Sequence, residues 1–142
     1  TASLALNLNW KNFDLSVFFN GAFGQEILNT QAFNSPSNQP LRWTPDNPTN
    51  AYPSLRDGRL VNLSDWWLQD GSYLRFQNLN FGYSFNLPKQ SILTKARLYL
   101  NASNIYTFTK FKGYDPEVGM DGVYWGGYPR LSKWTFGIDL TF

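Results

Sequence analysis

Trp134-Thr135-Phe136-Gly137-Ile138-Asp139-Leu140-Thr141-Phe142 alternates without a fault between a large apolar side chain and a small or polar one. Successive side chains of a β-strand point to opposite faces, so this stretch is a strand with one oily face and one polar face. Working upstream, residues 110–131 lose the period and are rich in Gly and Tyr. Before them, Leu98, Leu100 and Ala102 oppose Arg97, Asn101 and Ser103, and a short connection over 87–94 precedes that strand. Leu79, Phe81, Tyr83 and Phe85 then oppose Asn78, Asn80, Gly82 and Ser84. Leu74 and Phe76 have the other parity, which predicts a bulge near Gln77. Residues 25–71, with Pro36, Pro40, Pro45, Pro48 and Pro53, read as one long loop. Within it, Ser64-Asp65-Trp66-Trp67-Leu68 suggests a short capped helical turn. Phe13, Leu15, Val17, Phe19 and Phe23 form an earlier apolar row, which Phe18 interrupts on the polar side. Lys11-Asn12 makes a tight turn after Leu4, Leu6, Leu8 and Trp10.

About five antiparallel strands follow, over approximately 3–10, 13–24, 72–86, 95–109 and 131–142. Their connections run short, long, short, long. Outer-membrane barrels have short periplasmic turns and long outer loops, which places turns 11–12 and 87–94 in the periplasm and loops 25–71 and 110–131 outside. Aromatics then fall at both membrane interfaces, with Trp10, Phe13, Tyr83, Phe85 and Phe142 at one end and Phe23, Tyr106, Phe108 and Trp134 at the other. Small barrels need about eight strands, so about five do not close alone. A soluble β-sandwich has the same alternation, but a connection of about 45 residues is unusual in it.

Composition points the same way. Aromatic residues make up 18% and charged residues 15% of the 142, while the mean hydropathy is -0.39, as strands with a single oily face require. No apolar run is long enough for a transmembrane helix. A net charge of +2 without a basic run argues against nucleic acid as a partner. The absence of Cys and His removes thiolate metal sites, zinc chemistry and His-based acid–base catalysis. Thr1-Ala2-Ser3-Leu4 opens directly into alternation, which is the expectation for a segment of a longer polypeptide.

Residues 64–83, Ser64-Asp65-Trp66-Trp67-Leu68-Gln69-Asp70-Gly71-Ser72-Tyr73-Leu74-Arg75-Phe76-Gln77-Asn78-Leu79-Asn80-Phe81-Gly82-Tyr83, resemble a stretch of SusC/RagA-type TonB-dependent transporters. Ala96-Arg97-Leu98-Tyr99-Leu100, Asn104-Ile105-Tyr106-Thr107-Phe108-Thr109, Lys112-Gly113-Tyr114-Asp115-Pro116-Glu117-Val118 and Gly126-Gly127-Tyr128-Pro129 follow in that family's order. The ending also resembles an outer-membrane assembly signal, carried here by Thr135, Gly137, Leu140 and Phe142. The resemblance implies an all-β fold, the C-terminal part of a barrel of about 22 strands. It implies a plug and a TonB-contacting segment outside this chain, a SusD-like surface lipoprotein as partner, and the barrel assembly machinery and outer-membrane lipid as surroundings. The implied location is the outer membrane of a Gram-negative, Bacteroidota-type cell, and the implied function is uptake of glycans or peptides. Two other readings stay open at this stage: a structural subunit of a larger outer-membrane assembly, and a soluble β-sandwich carbohydrate-binding module.

Candidate chemistry is sparse, and the expectation is a non-enzyme without cofactor or metal. Asp115 and Glu117, flanking Pro116, are read as turn residues and not as a calcium pair or a glycosidase dyad, which needs two carboxyls across a cleft. Trp43, Trp125 and Tyr128 are the candidate contacts for a substrate or a lid, because aromatic faces suit sugar rings and interface anchors. Trp66 and Trp67 are expected to pack the loops together. The inward polar residues Asn78, Asn80, Asn101, Ser103 and Asp139 are expected to meet water or a plug.

Overall fold

A computed structural model describes residues 1–34, 40–54, 65–88 and 92–142, with the backbone alone for Phe33 and Asn34. The strands are β1 (Ala2–Trp10), β2 (Phe13–Ala22), β3 (Glu26–Asn29), β4 (Leu68–Asp70), β5 (Tyr73–Asn86), β6 (Lys95–Thr109), β7 (Val123–Tyr124) and β8 (Lys133–Thr141). One turn of helix, α1 (Gln31–Asn34), follows β3, and a 3-10 turn spans Asp65–Trp67. Ser64, the expected cap of that turn, lies outside the described residues, as do residues 89–91 of the 87–94 connection. The chain divides into two compact units, Thr1–Phe23 with Ser72–Thr109 and Arg130–Phe142, and Gly24–Gly71 with Lys110–Pro129. Among the described residues no helix is long and apolar enough to cross a membrane.

The first unit is a five-stranded sheet in the order β1-β2-β5-β6-β8, with every neighbouring pair antiparallel. These are the five expected strands, within about two residues at each end. Lys11 takes a left-handed backbone (φ 54°) in the tight turn, so Trp10 pairs directly with Phe13. The parity change at Gln77 is a bulge: the register of β5 shifts between Phe76 and Asn78 against β6. Its partner ladder shifts between Phe18 and Phe19, and Asn104 opposite takes a positive φ of 52°. The inserted residue returns Leu74 and Phe76 to the apolar face.

The register lines the apolar residues up across the whole sheet. Trp10, Phe13, Tyr83, Leu98 and Ile138 form one transverse row, and Leu8, Leu15, Phe81, Leu100 and Phe136 the next. Rings in neighbouring strands touch, with Phe13 4.5 Å from Tyr83 and Phe19 4.8 Å from Phe76 between centroids. Such cross-strand pairs hold the register. Among the described residues no other layer of this unit covers the face. Ile138 is 64% exposed, and Phe81, Leu98 and Leu140 are exposed too. Leu15, Val17, Leu79 and Leu100 are half-buried by their own neighbours, and none of these eight is buried. A sandwich core would have buried them against a second sheet.

The reverse face is polar. Asn7, Ser16, Asn80, Asn101 and Thr135 make one row, and Asn9, Asp14, Gly82, Tyr99 and Gly137 another. Arg97 reaches over Gly82 to grip Asp14 with two bonds, Nε to Oδ1 at 3.0 Å and Nη2 to Oδ2 at 2.6 Å, and donates more loosely to Asp139 at 3.4 Å. One guanidinium thereby ties β2, β6 and β8 together across β5. The Cβ of any other residue at position 82 would meet both partners at 2.5 Å, and at position 137 it would meet the ring of Tyr99. Phe18 remains the apolar exception, in a row with Ala5, Asn78, Ser103 and Lys133.

Two-sidedness of this kind has a measurable consequence. Leu79→Arg or Ile138→Arg should destabilise the membrane-inserted protein by about 2–4 kcal/mol if these sites lie near the bilayer midplane. Asn80→Arg, one residue from Leu79 but on the other face, should cost much less. Reversible urea unfolding in phospholipid bilayers measures both, and equal costs at positions 79 and 80 would contradict a lipid-facing apolar side.

Candidate functional site

The second unit is where the chain departs from plain loop. β3 pairs antiparallel with β4 and parallel with β7, making a three-stranded sheet from segments far apart in sequence. Its centre is Ile27, fully buried, packed with Phe111 and Tyr124 and flanked by Val118. Strands of two to four residues are too short for alternation to be read, so 25–71 and 110–131 looked aperiodic.

Amide side chains bind the two excursions into one body. Gln25 donates from Nε2 to the carbonyls of Gly71 at 2.7 Å and Pro116 at 3.2 Å. The Gln69 Oε1 accepts from Asn29 Nδ2 and from the Lys112 backbone, both at 3.2 Å. Gln31 Nε2 donates to the Trp125 carbonyl at 2.7 Å, and Thr30 Oγ1 to that of Tyr124 at 2.7 Å. Of these, the Gln25 and Gln31 bonds give side-chain donors to the backbone carbonyls of Gly71, Pro116 and Trp125.

Two of the concavities in this unit hold candidate residues. One, of about 760 Å³, is lined by Asn29, Gln31, Gln69, Lys112, Tyr114, Tyr124 and Trp125 among others. The other, of about 590 Å³, is lined by Trp43, Thr49, Asn50, Tyr52, Pro53, Ser54 and Trp66. Of the three candidate contacts, Trp125 lines the first, Trp43 lines the second, and Tyr128, almost fully exposed, lines neither. Trp125 is steadied by a 3.4 Å bond from Nε1 to Asp121. The adjacent tryptophans divide: Trp67 is buried at 4% while Trp66 is 57% exposed, so loop packing falls to Trp67. Tyr52 lines both concavities and was not singled out in the sequence, where it stands beside Pro53 in an apparently featureless loop.

Asp115 accepts the Glu117 backbone N–H at 2.9 Å, the turn role read for it, and the described residues hold no cluster of three metal-ligating side chains. On β8, Thr135 and Gly137 lie on the polar face and Leu140 on the apolar face, with exposed Phe142 just beyond the last paired residue.

No family model matches the chain. It is 33% identical to TonB-dependent receptor P3 of Formosa agariphila, over 96% of this chain and 16% of that protein. Over 56% of its length it is 36% identical to the TonB-dependent receptor SusC of Bacteroides thetaiotaomicron, covering 8% of it. Among solved structures it superposes on the RagAB peptide importer in its open-open state with a TM-score of 0.81 and 28% identity, over 99% of this chain and 17% of that one. The chain thus spans about a sixth of the length of the relatives it matches at nearly full coverage.

Ile27→Ala should loosen the second unit by about 2–5 kcal/mol, because a fully buried branched side chain leaves a cavity. Gln25→Ala, which removes hydrogen bonds alone, should cost about 1 kcal/mol. Hydrogen exchange of the full-length protein at the Leu28 and Thr30 amides, bonded to Gly122 and Tyr124, reads both effects. Unchanged protection in Ile27→Ala would mean that this residue is not the centre of the unit.

Proposed function

The chain belongs with the TonB-dependent receptors of the SusC/RagA type, and from that premise we propose that it is wall and outer rim of an importer that carries glycans or peptides across the outer membrane. The observation that carries this reading is the five-stranded sheet, whose apolar face no other layer of its unit covers among the described residues and whose reverse is polar apart from Phe18. A sheet of that kind suits a barrel that has lipid on one side and a water-filled or plugged lumen on the other. The chain leaves β2 and β6 for the second unit at one end of the sheet and makes its short connections at the other. In this reading residues 25–71 and 110–131 are extracellular, and 11–12 and 87–94 are periplasmic.

A SusD-like lipoprotein over the outer side, and TonB acting through parts outside this chain, complete the proposed importer. Of the relatives' names, that of RagAB gives a substrate class, describing it as a peptide importer. Trp43, Trp125 and Tyr128 are the proposed contacts for cargo or lid. Thr135, Gly137, Leu140 and Phe142 are proposed to be read during assembly. A strand with an open hydrogen-bonding edge can add to the edge of another barrel, and Gly137 reduces the bulk on β8.

Two measurements test this. This chain has no cysteine, so Asp46→Cys and Ile92→Cys, introduced into the full-length protein with any cysteine outside this chain replaced by serine, report sidedness. On intact cells a membrane-impermeant maleimide should label position 46 and leave position 92 untouched; the reverse pattern overturns the orientation. Phe142→Asp should lower the amount of inserted protein several-fold relative to Trp43→Ala, read by heat-modifiable mobility of outer-membrane fractions. Equal insertion would remove Phe142 from the assembly role.

A further inference from the structure

The concavity around Trp43 and Trp66 has a composition of its own. Trp66 is 57% exposed, although a large indole normally hides most of its surface, and Trp43 beside it is 43% exposed. Tyr52 and Pro53 join them, and Thr49, Asn50 and Ser54 supply hydroxyl and amide groups. No Asp, Glu, Lys or Arg lines it among the described residues.

Its frame is held by internal bonds. Buried Arg42 donates to the Pro53 carbonyl at 3.4 Å, and the Trp43 N–H donates to the Tyr52 carbonyl at 2.9 Å. Thr44 and Asn47 close on each other at 3.0 and 3.2 Å, and the Ala51 N–H is taken by Thr49 Oγ1 at 3.1 Å. The N–H groups of residues 43, 44, 47 and 51 are therefore engaged within this frame. Exposed aromatic faces with a neutral polar rim match a ligand that has a C–H face and many hydroxyls.

We propose that this cleft is a binding subsite for a neutral pyranose of an oligosaccharide, stacked on Trp43 and Trp66, with Thr49, Asn50 and Ser54 meeting its hydroxyls. The proposal rests on the outward orientation of this unit for its place in uptake. It deepens that reading by naming neutral glycan, in preference to peptide or charged polymer, as what these loop residues take.

The test uses full-length protein purified from outer membranes in detergent. Maltohexaose, cellohexaose, mannohexaose and xylohexaose are titrated while tryptophan emission and binding heat are followed, with a proline-rich peptide as the competing class. At least one sugar should bind. Trp43→Ala and Trp66→Ala should each weaken it tenfold or more, and Trp66→Phe should stay within about threefold because a ring face remains. Heat-modifiable mobility confirms that each variant is a folded barrel, and a Trp66→Ala that fails this check leaves the decision to Trp43→Ala. Binding of none of the four sugars, sugar binding indifferent to both alanine variants, or binding of the peptide alone overturns the proposal. Maleimide labelling at position 46 separates the two readings: a tryptophan-dependent sugar site on a unit unlabelled from outside keeps the subsite and discards the orientation.

Discussion

The constraint on which this architecture depends is that a strand in hydrocarbon has no water to satisfy its backbone. Every N–H and C=O must be met by a neighbouring strand, and every side chain on the outward face must tolerate lipid. The register from β1 to β8 answers both demands together, because the pairing that closes the backbone bonds also places Leu8, Leu15, Phe81, Leu100 and Phe136 in one line. A slip of one residue would move that line to the polar face and bring Asn7, Ser16 and Asn80 to the apolar one. The Gln77 bulge shows how narrow the tolerance is. Against β2 it inserts one residue, and the parity of the side chains changes with it so that the faces are preserved.

The polar face is held by a different chemistry, in which shape matters as much as charge. The Arg97–Asp14 pair is partly exposed, with side-chain accessibilities of 25% and 34%, so its contribution to stability is modest, about 1 kcal/mol or less. Its geometry is nonetheless specific: a two-bond grip crosses an intervening strand only because Gly82 leaves the space above its Cα empty. Gly137 makes the same concession to the ring of Tyr99. Both glycines sit in one transverse row, so bulky and absent side chains alternate where they would otherwise collide.

What was legible in the sequence follows from length and period. Strands of nine to fifteen residues repeat a two-residue signal often enough to be read, and the change of phase around Gln77 exposed even the bulge. β3, β4 and β7 carry four, three and two residues and pair across gaps of forty residues or more, so no local window holds their signal. Ile27 looked like one apolar residue in a loop, although it is the centre of a small core. Trp66 and Trp67 could not be told apart in sequence because the division between them is made by a 3-10 turn, which sends one ring inward and the other out. Tyr52 escaped notice because its importance lies in standing between two concavities, which is a property of tertiary position alone.

The amide clasp between the two excursions bears on how such a protein can be altered. Gln25 holds Gly71 and Pro116 at once, and β3 has β4 on one edge and β7 on the other, so each excursion completes the other's hydrogen bonding. Residues 24–71 and 110–129 are in that sense one module encoded in two pieces. A chimera that transplants one piece into a related barrel inherits half a sheet and a set of unmatched carbonyls. Recombination between related chains therefore keeps this sheet whole only when both pieces travel together.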